Sequence, residues 1–165
     1  MKRYIRSSIA DVAEEDIDVR LELADSLDTV PEVLTRLLTD TDYFVRDAAI
    51  QNPNTPIKSL CHLYDITNNP DIGTALSLRA DTPSKMLQYL SRSSVYMTQC
   101  GLASNINTPT EALNTLARHA TDFHVRKLIA ENPNVSIELL EKLSNDRSKK
   151  VSATAKNRLA ERSAE

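Results

Sequence analysis

The sequence predicts an all-α fold in which about five two-helix repeats of 26–27 residues stack into an α-solenoid, closed at each end by a half-repeat. Three observations carry this. The anchors Val30, Pro56, Pro83, Pro109 and Ser136 follow one another at spacings of 26, 27, 26 and 27 residues. A leucine stands four residues beyond each anchor (Leu34, Leu60, Leu87, Leu113, Leu140) and another stands seven beyond (Leu37, Leu63, Leu90, Leu116, Leu143). Glycine occurs only at Gly73 and Gly101, which suits back-to-back helices and not a β-rich or loop-rich fold.

Read in order, residues 1–165 form a single helical-repeat domain. Residues 1–15 are an N-terminal half-repeat, in which Ile5, Ile9 and Val12 mark a lone second helix. Residues 16–146 hold the five repeats, and residues 147–165 a C-terminal half-repeat whose lone first helix carries Val151, Ala155 and Leu159. Terminal units of an array need a polar outer face, which Glu14-Glu15-Asp16 and Glu161-Arg162-Ser163 supply.

The second copy shows how one repeat is made. Asp42 is a good N-cap, and Val45, Ala48, Ala49 and Ile50 give the first helix an apolar stripe. Asn52-Pro53-Asn54 ends that helix, because Pro53 disfavours α geometry at Asn52 and cannot continue the ladder. Thr55-Pro56 restarts the chain with threonine as N-cap and proline at the first helical position, and Leu60 and Leu63 form the second helix's apolar face. The other copies drift from this template. Thr29 to Glu32 and Thr108 to Glu111 read as capping boxes, and Asn69-Pro70 opens the leading helix of the third copy. Helices of about ten residues are marginal alone and need their neighbours. The repeat is short for two full helices, which favours a second helix that is partly 3₁₀.

The segments Val45-Arg46, Asn52-Pro53-Asn54-Thr55-Pro56, Leu60 and Leu63, with Val125-Arg126 and Asn132-Pro133-Asn134, resemble the variant leucine-rich repeat, a helical relative of HEAT and armadillo repeats. The resemblance spans roughly residues 16–160 and implies a right-handed two-layer helical solenoid, mostly of bacterial origin. The copies are two or three residues longer than usual for that family, and no cysteine-rich cluster module stands in these residues, so no iron–sulfur role is expected. Arrays of this kind are usually binding surfaces.

Hydrophobic residues make up 41% and charged residues 26%; the net charge is −3 with a pI near 5.7, giving no general attraction to nucleic acid or anionic membrane. The charge is uneven: residues 1–50 hold six basic and twelve acidic side chains, residues 141–165 seven basic and four acidic. Cys61 and Cys100 are too few for a disulfide scaffold or a closed metal site, and no cofactor is expected. There is no apolar run of 18 residues, and Met1-Lys2-Arg3-Tyr4-Ile5-Arg6 leads into no signal-type stretch, so a soluble cytoplasmic protein with no membrane partner is expected.

Three rows stand out. Ten residues before successive anchors come Arg20, Arg46, Gly73, Gln99 and Arg126, with Asp16, Asp42 and Asp122 four residues ahead of the arginines. This is chiefly scaffold, an Asp cap with an i,i+4 pair and a contact to the next copy's aspartate, rather than an anion-binding ridge. Thirteen before the anchors come Ile17, Tyr43, Pro70, Tyr96 and Phe123, followed one position later by Asp18, Phe44, Asp71, Met97 and His124. Exposed, these form an apolar ridge of the kind that marks an interface; buried, they seal the junctions between copies. The third row is Asn52, Asn105 and Asn132, then Asp28, Asn54, Asp81, Asn107 and Asn134, explained by turns in which Asn and Asp bond their own backbone and tolerate left-handed geometry.

Candidate partner-binding residues are therefore Tyr43, Phe44, Tyr96 and Phe123, with Arg20, Arg46 and Arg126. His62, His119 and His124 occupy three different repeat positions, and Gly-x-x-x-x-Gly-Lys, Gly-x-Ser-x-Gly and His-Glu-x-x-His are missing, so no catalytic or metal residue is expected. The function expected is a non-catalytic scaffold that binds a protein or peptide through the solenoid surface, as a monomer or with weak head-to-tail self-association between its oppositely charged ends. The alternatives are nucleic-acid binding through Arg147, Lys149, Lys150, Lys156 and Arg158, or an enzyme on a HEAT-like scaffold with Tyr64, Tyr89 and Tyr96 as ring surfaces.

Overall fold

The computed structural model describes residues 11–163, so Ile5 and Ile9 lie outside the described residues. Among these residues the chain is all-helical: a 3₁₀ turn at Asp11–Glu14 and eleven α-helices, with no strand. The leading helices of the five copies are α1 (Ile17–Asp25), α3 (Tyr43–Gln51), α5 (Pro70–Leu78), α7 (Tyr96–Ser104) and α9 (Phe123–Glu131), each of nine residues. The second helices are α2 (Pro31–Leu37), α4 (Ile57–Thr67), α6 (Ser84–Leu90), α8 (Thr110–His119) and α10 (Ile137–Leu143). α11 (Lys149–Ser163) follows in the leading register, where Val151 and Ala155 are fully buried.

The chain divides into two compact units, residues 1–75 and 76–165. In unit 1, α1 packs on α3 and α2 touches both. In unit 2, α7 packs on α9, α9 on α11, α10 on α11 and α6 on α8. The leucine pattern explains this. All five leucines four residues past an anchor are completely buried, as are Leu37, Leu90 and Leu116 within 1%. Each buried leucine contributes about 2 kcal/mol of burial free energy, which seven- to eleven-residue helices could not supply from propensity. Leu63 departs: it is half-buried, and Tyr64 takes its place inward, its ring lying against Gly73 where an added Cβ would stand 2.9 Å from Cε2. In this copy α4 runs on for eleven residues to the left-handed Asn68 (φ 50°), and α5 begins two residues later.

The second helices are α-helical with short-range bonds only at their ends, as where the Thr39 and Asp40 amides donate to Arg36 and Leu37 carbonyls at 3.2 and 3.1 Å. The threonines also differ from expectation. Thr29, Thr55 and Thr108 do not stand at the N-caps; their hydroxyls, and that of Thr82, each donate to the carbonyl six residues back (Leu23, Ala49, Leu76, Leu102) at 2.5–2.8 Å. The last carbonyls of a leading helix have no partner within it. With these threonines 0–9% exposed, water is excluded there, and the hydroxyl is the donor at hand. Val30, Pro56, Pro83 and Pro109 stand at the caps instead, without side-chain bonds; Ser136, in the copy with Val135 for threonine, does cap, accepting from the Leu139 amide at 3.1 Å.

Candidate functional site

The asparagines hold one copy to the next within each unit. In unit 1, Asn52 Nδ2 donates to the Ala24 and Ser26 carbonyls at 2.8 and 2.9 Å. In unit 2, Asn105 reaches Ser77 and Arg79 at 2.9 and 3.0 Å, and Asn132 reaches Ala103 and Asn105 at 2.8 and 3.0 Å. Their Oδ1 atoms accept from the amides of Asn54, Asn107 and Asn134 at 2.9 Å, which is the local turn the sequence suggested. Left-handed geometry plays no part: among the described non-glycine residues only Asn68 has positive φ. The outer asparagines add a second rung, Asn54 to Leu27 (2.6 Å), Asn107 to Ala80 (2.9 Å) and Asn134 to Ile106 (2.7 Å). The third copy has Arg79 at the inner position, paired with Asp81, whose carboxyl that guanidinium holds below its ordinary value. After the fifth copy Arg162 takes over, its Nη1 and Nη2 donating to the Val135 and Pro133 carbonyls at 2.6 Å.

The arginine row is equally occupied. Arg20 pairs with Asp40 at 2.9 Å and donates to the Glu15 carbonyl; Arg126 pairs with Asp146 at 2.6 Å and donates to Ala120 and Thr121 at 3.1 and 2.7 Å. Arg46 reaches the Asp40 and Thr41 carbonyls at 2.6 and 2.9 Å, and Gln99 copies one such bond to Ser93 at 2.9 Å. The acid partner thus stands twenty residues on, not four back. Asp42 and Asp122 cap their helices, accepting from Phe44, Val45 and His124 amides, whereas Asp16 makes no cap bond. The Arg126 guanidinium, then the Ser148 amide, hold the Asp146 carboxyl below the ordinary aspartate range.

The ring row faces solvent. In unit 1, Ile17, Tyr43 and Phe44 are 45%, 53% and 67% exposed. Tyr43 meets Phe44 edge-on at 5.5 Å, and the Arg46 guanidinium lies 6.0 Å from the Tyr43 centroid. In unit 2, Tyr96, Met97 and Phe123 are 47%, 56% and 44% exposed, and Lys150 Nζ sits 5.7 Å from the Phe123 centroid. A hydrogen bond to Cys100 raises the Tyr96 phenol above its ordinary value, so the ring is neutral at physiological pH.

A cleft of about 380 Å³ lies in unit 2 over the Arg126–Asp146 pair, with Asn114, Arg118, Glu138 and Lys142 at its rim. Its lining holds no hydroxyl, thiol or imidazole; Glu138 pairs with Lys142 at 2.7 Å and Arg126 with Asp146, while Arg118 donates to the Thr115 hydroxyl at 3.1 Å. Among the described residues no group of three or more His, Cys, Asp or Glu side chains is placed to hold a metal ion, and no helix is long and apolar enough to cross a membrane. No family model, curated protein or solved structure matches the chain.

Proposed function

We propose that the chain is a non-catalytic binding scaffold, a right-handed α-solenoid of the variant leucine-rich type whose ring row holds a protein partner. One observation carries the reading: Tyr43, Phe44, Tyr96 and Phe123 stand at the first turns of leading helices with 44–67% of their surface in water. Aromatic side chains contribute most when buried, so rings repeated at one register and left exposed are surfaces awaiting a partner. Arg20 and Arg126 serve it as framework, and Arg46 presents the Tyr43 ring.

The test needs no partner named beforehand. A library of random peptides displayed on phage is selected on the wild-type chain and on a variant with Tyr43, Phe44, Tyr96 and Phe123 replaced by serine. A consensus enriched on the wild type and lost on the variant supports the proposal. No enrichment, or the same consensus on both, contradicts it.

A further inference from the structure

The ring row of unit 2 carries a gradient. α7, which bears Tyr96 and Met97, contains no charged residue. α9 bears Phe123 and His124, with Asp122 occupied as its N-cap and Lys127 paired with Glu131. At the start of α11 stand Arg147, Lys149 and Lys150, all exposed and none in a salt bridge among the described residues; Arg147 adds only a longer-range pull on Asp146. Lys150 lies over the Phe123 ring at 5.7 Å, so the basic end and the apolar end share one surface. By charge, unit 2 has thirteen basic and nine acidic residues, unit 1 seven and fourteen.

We propose that this surface of unit 2 binds an acidic peptide segment that also carries an aromatic or aliphatic anchor, the anchor lying on Tyr96 and Met97 and the carboxylates beside Lys149, Lys150 and Arg147. The proposal deepens the scaffold reading and rests on it. Packed helix axes are about 8–10 Å apart, so α7 to α11 is about 16–20 Å. An extended peptide advancing about 3.3 Å per residue covers that in about five or six residues, which sets the distance from anchor to acids. A nucleic acid fits this gradient poorly, because its phosphates recur evenly and need cations along the whole track, where α7 offers none.

The test is fluorescence anisotropy with a labelled peptide of about ten residues, holding one Phe and a Glu-Glu-Asp cluster five residues further on, in a Gly/Ser background. Binding to the wild type is expected to weaken about tenfold in the K149E/K150E variant and again between about 50 and 500 mM NaCl. It weakens likewise when the peptide's Phe is replaced by Ser or when Tyr96→Ser is made, and stays unchanged for Ile66→Ser, an exposed apolar side chain of α4 outside the ring row, with far-UV circular dichroism showing that every variant is folded. No binding, equal binding of a peptide with Lys in place of its acids, no effect of K149E/K150E, or tighter binding of an oligothymidylate of about ten nucleotides would each overturn it. A phage consensus that depends on the rings but lacks acids would remove this inference and leave the scaffold reading standing.

Discussion

Unit 1 and unit 2 are made from one repeat yet differ in charge, fourteen acidic against seven basic residues in the first and nine against thirteen in the second. Beneath that difference the framework is shared. Arg20–Asp40 in unit 1 has its counterpart in Arg126–Asp146 in unit 2, and Asn52 bonds the copy before it as Asn105 and Asn132 do. The threonine hydroxyls repeat in both. The groups that satisfy dry backbone carbonyls recur in both units, while the exposed start of a leading helix is acidic at α1 in unit 1 (Asp16, Asp18) and basic at α11 in unit 2 (Lys149, Lys150). That is the pattern expected when the framework holds the fold and the surface chooses partners.

The largest losses are expected at the ion pairs. Arg126→Ala leaves Asp146 without its cation and two carbonyls without a donor, and is expected to cost about 4 kcal/mol in urea unfolding. Arg46→Ala in unit 1, where the side chain hydrogen-bonds two carbonyls and no carboxylate, is expected to cost about 1.5 kcal/mol. Equal losses would mean that the carboxylate adds nothing. Next come the asparagines: Asn132→Ala and Asn52→Ala each remove two donors to the preceding copy from sites 3–4% exposed, for about 3 kcal/mol. The outer Asn54→Ala loses one exposed bond and about 1 kcal/mol or less.

The two glycines sharpen the contrast. A Cβ on Gly101 would stand 2.0 Å from Ser77 Oγ and 2.9 Å from its Cβ, whereas on Gly73 it meets only the Tyr64 ring tip, at 2.9 Å. Gly101→Ala is expected to cost about 2 kcal/mol, with partial rescue by Ser77→Gly, and Gly73→Ala about 1 kcal/mol. Absence of rescue would place the strain elsewhere. A smaller effect concerns pH. Asp146 has a depressed folded-state value, so its contribution is complete above the ordinary aspartate value of 3.8 and is lost as pH falls through the lower folded value. Acid unfolding of Asp146→Asn should therefore show a shallower loss below that pH than wild type; parallel curves would refute the assignment.

The buried leucines were legible because a period of one repeat and a spacing of three residues leave them one face, and Asp42 and Asp122 were legible as caps because local spacing decides a cap. The threonines were not. A hydroxyl before Pro56 or Pro109 can accept from the helix ahead or donate to the one behind, and the choice depends on which group water cannot reach. The asparagine bonds span 26–29 residues, beyond any local pattern. The shared register of Asn52, Asn105 and Asn132 was nonetheless a signal that a turn alone did not require that residue. Asp40 and Asp146 carried a similar one, each twenty residues after its arginine. Exposure of Tyr43, Tyr96 and Phe123 had no signature in sequence, because a first-turn position lies at the margin of the apolar stripe.

The division between framework and surface meets its most direct test in thermal unfolding of two variants of unit 2, Tyr96→Ser with Phe123→Ser against Asn132→Asp alone. Loss of both rings is expected to lower the Tm by no more than about 3 °C, while the single asparagine exchange, which sets a carboxylate against two carbonyl oxygens, lowers it by about 10 °C or more. A larger drop for the ring variant than for the asparagine variant would make the rings part of the packing and contradict the account.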